Sequence, residues 1–255
     1  MYLSRQDLSD PNKPSHALVA SHEIQDWPLY YQSQARLQQA KACQQLYQQG
    51  LPAKDLGLTQ IPLVALDFET TGLNAQQDQI LAIGIVPFRM DHLATDQAKQ
   101  WLIRNQRPLA EENVIIHGIT DSQAQSGISL EQAMTELLKA LSGKVVVVHY
   151  RPIEQNFINA ASLSIFDQGL QLPMIDTMAI ERRLVKQNWQ QRWQEWWRPG
   201  SRSLRLDPCR QRYGLPSYRP HHACSDALAT AELLLAQYRH LGLDKQSWHS
   251  LCQLY

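Results

Sequence analysis

The sequence predicts an α/β fold, a sheet with helices packed on it, and three observations carry that prediction. Short apolar runs at 61–66, 79–88 and 144–148 have the length and side-chain branching of buried strands. Residues 129–141 and 223–241 place apolar side chains at helical spacing between start and stop signals. With 255 residues, 44% of them apolar, there is ample material for a packed core.

In chain order, residues 1–58 stand apart from this pattern and are read as an N-terminal helical extension of a main domain over 59–255. Residues 33–49 are rich in Gln and Ala, with Leu37, Ala40, Cys43 and Leu46 spaced three apart. That spacing predicts one amphipathic helix, stopped by Gly50 and Pro52 and led in by Trp27, Leu29, Tyr30 and Tyr31. Such a segment is expected to pack on the main domain or on a second subunit.

The first strand is entered through Pro62. Along 79–88, Ile80, Ala82, Gly84 and Val86 alternate with Leu81, Ile83 and Ile85, so both faces are apolar, as in a covered central strand. Residues 101–103 supply a third strand, and the short connections imply that the sheet starts antiparallel. Ser129 caps the helix over 129–141 with Gln132 three residues on, and Gly143 closes it. A β-branched run makes 144–148 a buried strand. Residues 173–176 form a short strand leading into a helix through Arg183, with Asp176 read mainly as a helix cap and alternatively as a ligand. The helix over 223–241 aligns Leu228, Ala231, Leu235 and Tyr238 on one face.

Composition narrows the function. No run approaches the roughly 20 apolar residues of a membrane span, and the polar start lacks a signal peptide's apolar core. Cys43, Cys209, Cys224 and Cys252 lie far apart, which favours free thiols in a reducing cytoplasm over a zinc site. Formal charge is zero, yet 182–219 hold ten basic residues against Glu195 and Asp207. Trp189, Trp193, Trp196 and Trp197 are interleaved there at helical spacing. The arginines are read as phosphate contacts and the tryptophans as a buried stripe.

The chemistry concentrates in VALDFETTG, residues 64–72. Alternation sends Asp67 and Glu69 to one face of the strand, and two close carboxylates are costly unless a cation sits between them. Thr70, Thr71 and Gly72 suit a tight turn that a ligand can approach closely. Alternatively, the stretch is a strand end with two solvated acids.

The longer string D-F-E-T-T-G-L resembles the first motif of the DEDD superfamily of 3′→5′ exonucleases, which includes polymerase proofreading subunits and RNase T. His221 to Ala231 resembles the third motif of its histidine-containing branch, H-x-x-x-x-D-A-x-x-T-A, with Asp226 as the acid. His149 to Glu154 follows the pattern H-N-x-x-F-D, but with Tyr150 for Asn, Ile153 for Phe and Glu154 for Asp. Residues 113–120, around His117, resemble a segment that many members carry beside the site; alternatively, His117 caps a helix or faces solvent.

The resemblance covers 61–241 and implies a ribonuclease-H-like fold, a five-stranded mixed sheet flanked by helices on both faces. It implies two Mg²⁺ or Mn²⁺ ions held by Asp67, Glu69, Glu154 and Asp226, with His221 as general base. Thr70, Thr71, Gly72, Leu73, His117 and His149 would bind substrate. The implied partner is nucleic acid with a free 3′ end, single-stranded DNA by preference, with a homodimer or a polymerase-associated partner in addition. Two other readings stay open. One is an impaired homologue that binds nucleic-acid ends, and the other is an assembly protein acting through its Trp-rich segment and N-terminal helix.

Overall fold

Strand β1 (Leu63–Thr70) runs through the middle of the sheet, because its residues are apolar on both faces until the acids begin. The computed structural model describes residues 24–105, 121–188, 203–218 and 221–254. In chain order they form α1 (Trp27–Leu37), α2 (Lys41–Gln48), β1, β2 (Ile80–Arg89), β3 (His92–Leu93), β4 (Lys99–Leu102), α3 (Asp121–Ser126), α4 (Leu130–Leu141) and β5 (Val145–Val148). Then come α5 (Arg151–Phe166), β6 (Met174–Asp176), α6 (Thr177–Asn188), α7 (Leu206–Arg212), α8 (Ala223–Leu241) and α9 (Trp248–Cys252).

The sheet is mixed, as expected. β1 pairs antiparallel with β2 and parallel with β5, and β5 pairs parallel with β6. The order is β3-β2-β1-β5-β6, with β4 also on the outer edge of β2. Six strands stand where five were expected. The extra one, β3, is two residues that fold back on Phe88 and Arg89, too short to show any periodicity.

Registry places the acids. Asp67 lies opposite Gly84 and Glu69 opposite Ala82, with a bulge between Glu69 and Thr70. Helix α8 crosses this part of β1 and β2 with its first residue on Gly84. A Cβ at Gly84 would lie 2.2 Å from the carbonyl carbon of Ala223 and 2.4 Å from Cys224 N. Only glycine admits that approach. Gly84→Ala should therefore force α8 off the sheet, at the roughly 1–3 kcal/mol that overpacking costs. Thermal unfolding should show a loss on the order of several degrees; an unchanged melting temperature would mean that α8 is free to lift.

The expected single helix over 33–49 is two, α1 and α2. Gln38 and Ala40 are extended, and the amide oxygen of Gln168 accepts from the backbone N–H groups of Gln39 and Ala40, both at 2.9 Å. That hydrogen bond from far along the chain outcompetes helical continuation, and Leu37 is left exposed. Trp27, Tyr31, Cys43, Leu46 and Tyr47 bury into the same core as β1 and β5. The last helix closes over them. Trp248 Nε1 donates to Ala53 O, Gln253 Nε2 to Ile24 O and Trp248 N to Leu56 O. Among the described residues no helix is long and apolar enough to cross a membrane.

Candidate active site

The end of β1 and the first turn of α8 meet over Gly84, and this brings three carboxylates together. Oxygens of Asp67, Glu69 and Asp226 all lie within 4.8 Å of one another. Glu69 is buried and the other two are half-buried. The loop into α8 is held tightly. His221 has φ of 65°, and its N–H donates to Asp226 Oδ2 at 3.0 Å. His222 Nδ1 lies 3.2 Å from Ser225 Oγ, and Cys224 N donates to Gln100 Oε1 on β4 at 3.3 Å.

Glu154, in the first turn of α5, stands outside that group of three. It is buried, and its Oε2 has no hydrogen-bond partner among the described residues. Its charge reaches Asp67: burial first, then Glu69, Glu154 and Asp226, push the Asp67 carboxyl well above the usual range. Glu69 is pushed up to about 8, by burial and then by Asp226. Burial also raises Asp226, against the hydrogen bond from His221. Buried hard oxygens of like charge, one of them unsatisfied, fit a divalent cation.

A testable pH dependence follows. Between Glu69's ordinary 4.5 and its folded value of about 8, the folded protein holds a proton that the unfolded chain has lost. Stability of the metal-free protein should then fall as pH rises through that window. Divalent cations compete with those protons, so the rise in melting temperature on adding Mn²⁺ should be larger at pH 8 than at pH 6. Thermal unfolding after EDTA treatment checks this; an equal rise at both values would remove the acidic cluster as the binding site.

Helix α5 starts from a left-handed residue, Tyr150, with φ 87° and ψ 67°. Its cap comes from the neighbouring strand. Asp176 Oδ1 accepts from Tyr150 N at 3.0 Å and Oδ2 from Arg151 N at 3.1 Å. The same Oδ1 takes Met178 N at 2.9 Å, where α6 begins. Asp176 thus caps two helices.

The Thr70–Gly72 segment does form a tight turn. Thr70 Oγ1 donates to Gly72 O at 2.6 Å, and Asp78 braces the far side by accepting from Thr71 Oγ1 and Asn74 N. A Cβ at Gly72 would lie 2.5 Å from the Asp78 carboxylate, and Leu73 projects with 76% of its surface exposed. His149 has its ring held by residues after β6. Its ring nitrogens lie 2.8 Å from Thr177 Oγ1 and from Leu204 O, so both are engaged within the protein. His117 lies outside the described residues, as do the four tryptophans with Arg192, Arg198, Arg202 and Arg219.

Two of the basic residues read as phosphate contacts are structural instead. Arg210 is 1% exposed, donating to Ala229 O, Pro216 O and Glu232 Oε2 beneath the Tyr218 ring. Arg212 pairs with Glu181 Oε2 at 2.8 Å, and Tyr213 and Gln237 donate to Glu181 Oε1. These bonds fasten α7 between α6 and α8. The parts played by Gln100, Asp78 and Gly84 leave no sign in the sequence, since none of the three carries a motif of its own.

The family model RNase_T, described as "Exonuclease", matches residues 64–234, a span that contains Asp67, Glu69, Glu154, His221 and Asp226. The chain belongs to this exonuclease family. A DNA polymerase III PolC-type of Thermotoga petrophila is 29% identical over 187 residues, covering 72% of this chain but only 12% of the relative. The DNA polymerase III subunit epsilon of Treponema pallidum is 26% identical over 189 residues, 74% of this chain and 81% of the relative. Among solved structures, the nuclease domain of 3′hExo, a DEDDh family member bound to rAMP, aligns with a TM-score of 0.55 at 17% identity. That alignment covers 76% of this exonuclease chain and 94% of the solved one, and it shows the shared fold.

Proposed function

We propose that this chain is a divalent-cation-dependent exonuclease that removes nucleotides from 3′ ends, with DNA as its preferred substrate. The meeting of Asp67, Glu69 and Asp226 within 4.8 Å carries the reading, because three like charges so close, one buried and two half-buried, are costly unless a cation sits among them. Asp67, Glu69 and Asp226 would hold one Mg²⁺ or Mn²⁺, and Asp67 with Glu154 a second. Two such ions, when bound, activate a water and relieve charge on the phosphate and the leaving 3′ oxygen.

The chain's own groups do the rest. His221, on an exposed loop leashed to Asp226, accepts the proton of the attacking water. The Thr70–Thr71–Gly72 turn and the exposed Leu73 receive the terminal nucleotide, Leu73 supplying an apolar surface for a base. His117 remains a candidate substrate contact. DNA is favoured because both relatives described above are DNA polymerase III proteins, and a polymerase is the favoured protein partner for the same reason. Residues 59–255 would form the catalytic domain. Residues 1–58 would form an extension whose helices brace the β6 side through Tyr47, which exchanges hydrogen bonds with Gln171.

The test uses single-stranded DNA and matched RNA, labelled at either end, with EDTA and with added Mg²⁺ or Mn²⁺. Expected are nucleoside monophosphates released from the 3′ end of DNA, lost with EDTA and restored by either cation. Cutting of a circular strand would overturn the direction. Binding of 3′ ends without cleavage would favour the end-binding protein.

A further inference from the structure

We propose that Asp176 is a positioning residue for Glu154: its carboxylate clamps the left-handed turn at Tyr150 and so sets where the Glu154 carboxylate stands. The inference rests on the proposed cation site. Its starting point is Tyr150, which occupies the position where the H-N-x-x-F-D pattern has asparagine. Asparagine visits the left-handed region readily, and an aromatic residue does so at a cost. Tyr150 nevertheless has φ 87°, and its ring does not hold it there by burial, since 38% of its surface is exposed.

What holds the turn is the Asp176 carboxylate. Val148, the last residue of β5, lies in register with Asp176 on β6. From that neighbouring strand Asp176 accepts the N–H groups of Tyr150 and Arg151, two and three residues after Val148, and with them the first donors of α5. The side chain of Tyr150 makes no cap hydrogen bond to its own helix. Pro152 follows at once, fixing φ inside the first turn. The start of α5 is therefore pinned, and Glu154 follows three residues after Arg151. Its carboxylate is buried, with Oε2 unsatisfied among the described residues. A glutamate in place of aspartate carries one more rotatable bond, so its carboxylate is held in place only if the backbone beneath it is fixed. Asp176 does that fixing from the neighbouring strand β6.

The experiment compares Asp176→Asn, Glu154→Gln and the double variant, reading Mn²⁺ binding by titration calorimetry alongside cleavage. Asparagine keeps the shape but loses one of the two acceptor oxygens that face Tyr150 and Arg151. Asp176→Asn should weaken Mn²⁺ binding roughly 10- to 100-fold, as loss of an outer support for a ligand does. Added to Glu154→Gln it should weaken binding no further, because it acts through Glu154. Tyr150→Gly makes the left-handed turn intrinsic, so placed on Asp176→Asn it should restore Mn²⁺ affinity to within a few-fold of the parent. That background also serves if Asp176→Asn alone does not fold. Unchanged Mn²⁺ affinity in Asp176→Asn, or a loss that Tyr150→Gly does not rescue, would leave Asp176 a stability residue only. Absence of Mn²⁺ binding in the parent would instead overturn the cation site itself.

Discussion

His221→Ala should lower the single-turnover rate of 3′-end cleavage by roughly 10²- to 10⁴-fold, the range expected for loss of the proposed general base. His222→Ala should stay within a few-fold of the parent. The two histidines are adjacent, yet the fold gives them different partners. The His221 N–H donates to Asp226 Oδ2, so its backbone is tied to the acidic cluster. His222 is the N-cap of α8, and its ring lies 3.2 Å from Ser225 Oγ on that helix. The comparison is made at saturating Mn²⁺, with affinity measured separately, so that a lost proton acceptor is distinguished from a lost ion. His221 also has φ of 65°, which glycine adopts without strain. His221→Gly should therefore be at least as stable as His221→Ala while equally slow. Equal rate losses at 221 and 222 would mean that the loop register is wrong.

The acids of β1 and α8 were legible because local rules specify them. Period-two alternation puts Asp67 and Glu69 on one face, and the strong helix after His222 fixes Asp226 in its first turn. The strands at 61–66, 79–88 and 144–148 were legible for the same reason, since each is apolar on both faces. What local rules miss is what distant residues decide. The break between α1 and α2 depends on Gln168, which captures two N–H groups about 130 positions earlier in the chain. Gly84 looks like one more small residue in a central strand until the backbone of Ala223 is laid on it. Arg210 and Arg212 counted as surface charge in a basic stretch, but Glu181 and Glu232, from two other helices, draw them inward. His149 matched its motif in sequence, while Thr177 and Leu204 determine what its ring touches.

Glu154→Ala should reduce cleavage at least as severely as His221→Ala while leaving the fold intact. The side chain is buried, and its Oε2 is unsatisfied among the described residues, so its removal relieves a cost to the metal-free protein. Burial, and then the charge of Asp176, already hold its carboxyl well above the usual range. The melting temperature in EDTA should accordingly stay level or rise in Glu154→Ala, and the stabilisation by Mn²⁺ should shrink. This opposite movement of stability and activity separates a ligand from a packing residue, whose loss lowers both. Metal preference gives a second reading of the same position. Glutamate reaches about 1.5 Å further than the aspartate of the family pattern, one carbon–carbon bond more. Mg²⁺ tolerates departures from octahedral ligation poorly, so the parent should cleave faster with Mn²⁺ than with Mg²⁺. Glu154→Asp is measured beside it with both cations, because the shorter side chain alters reach without altering charge. A Glu154→Ala protein that cleaves as fast as the parent with both cations would make Glu154 a bystander and misplace the second motif.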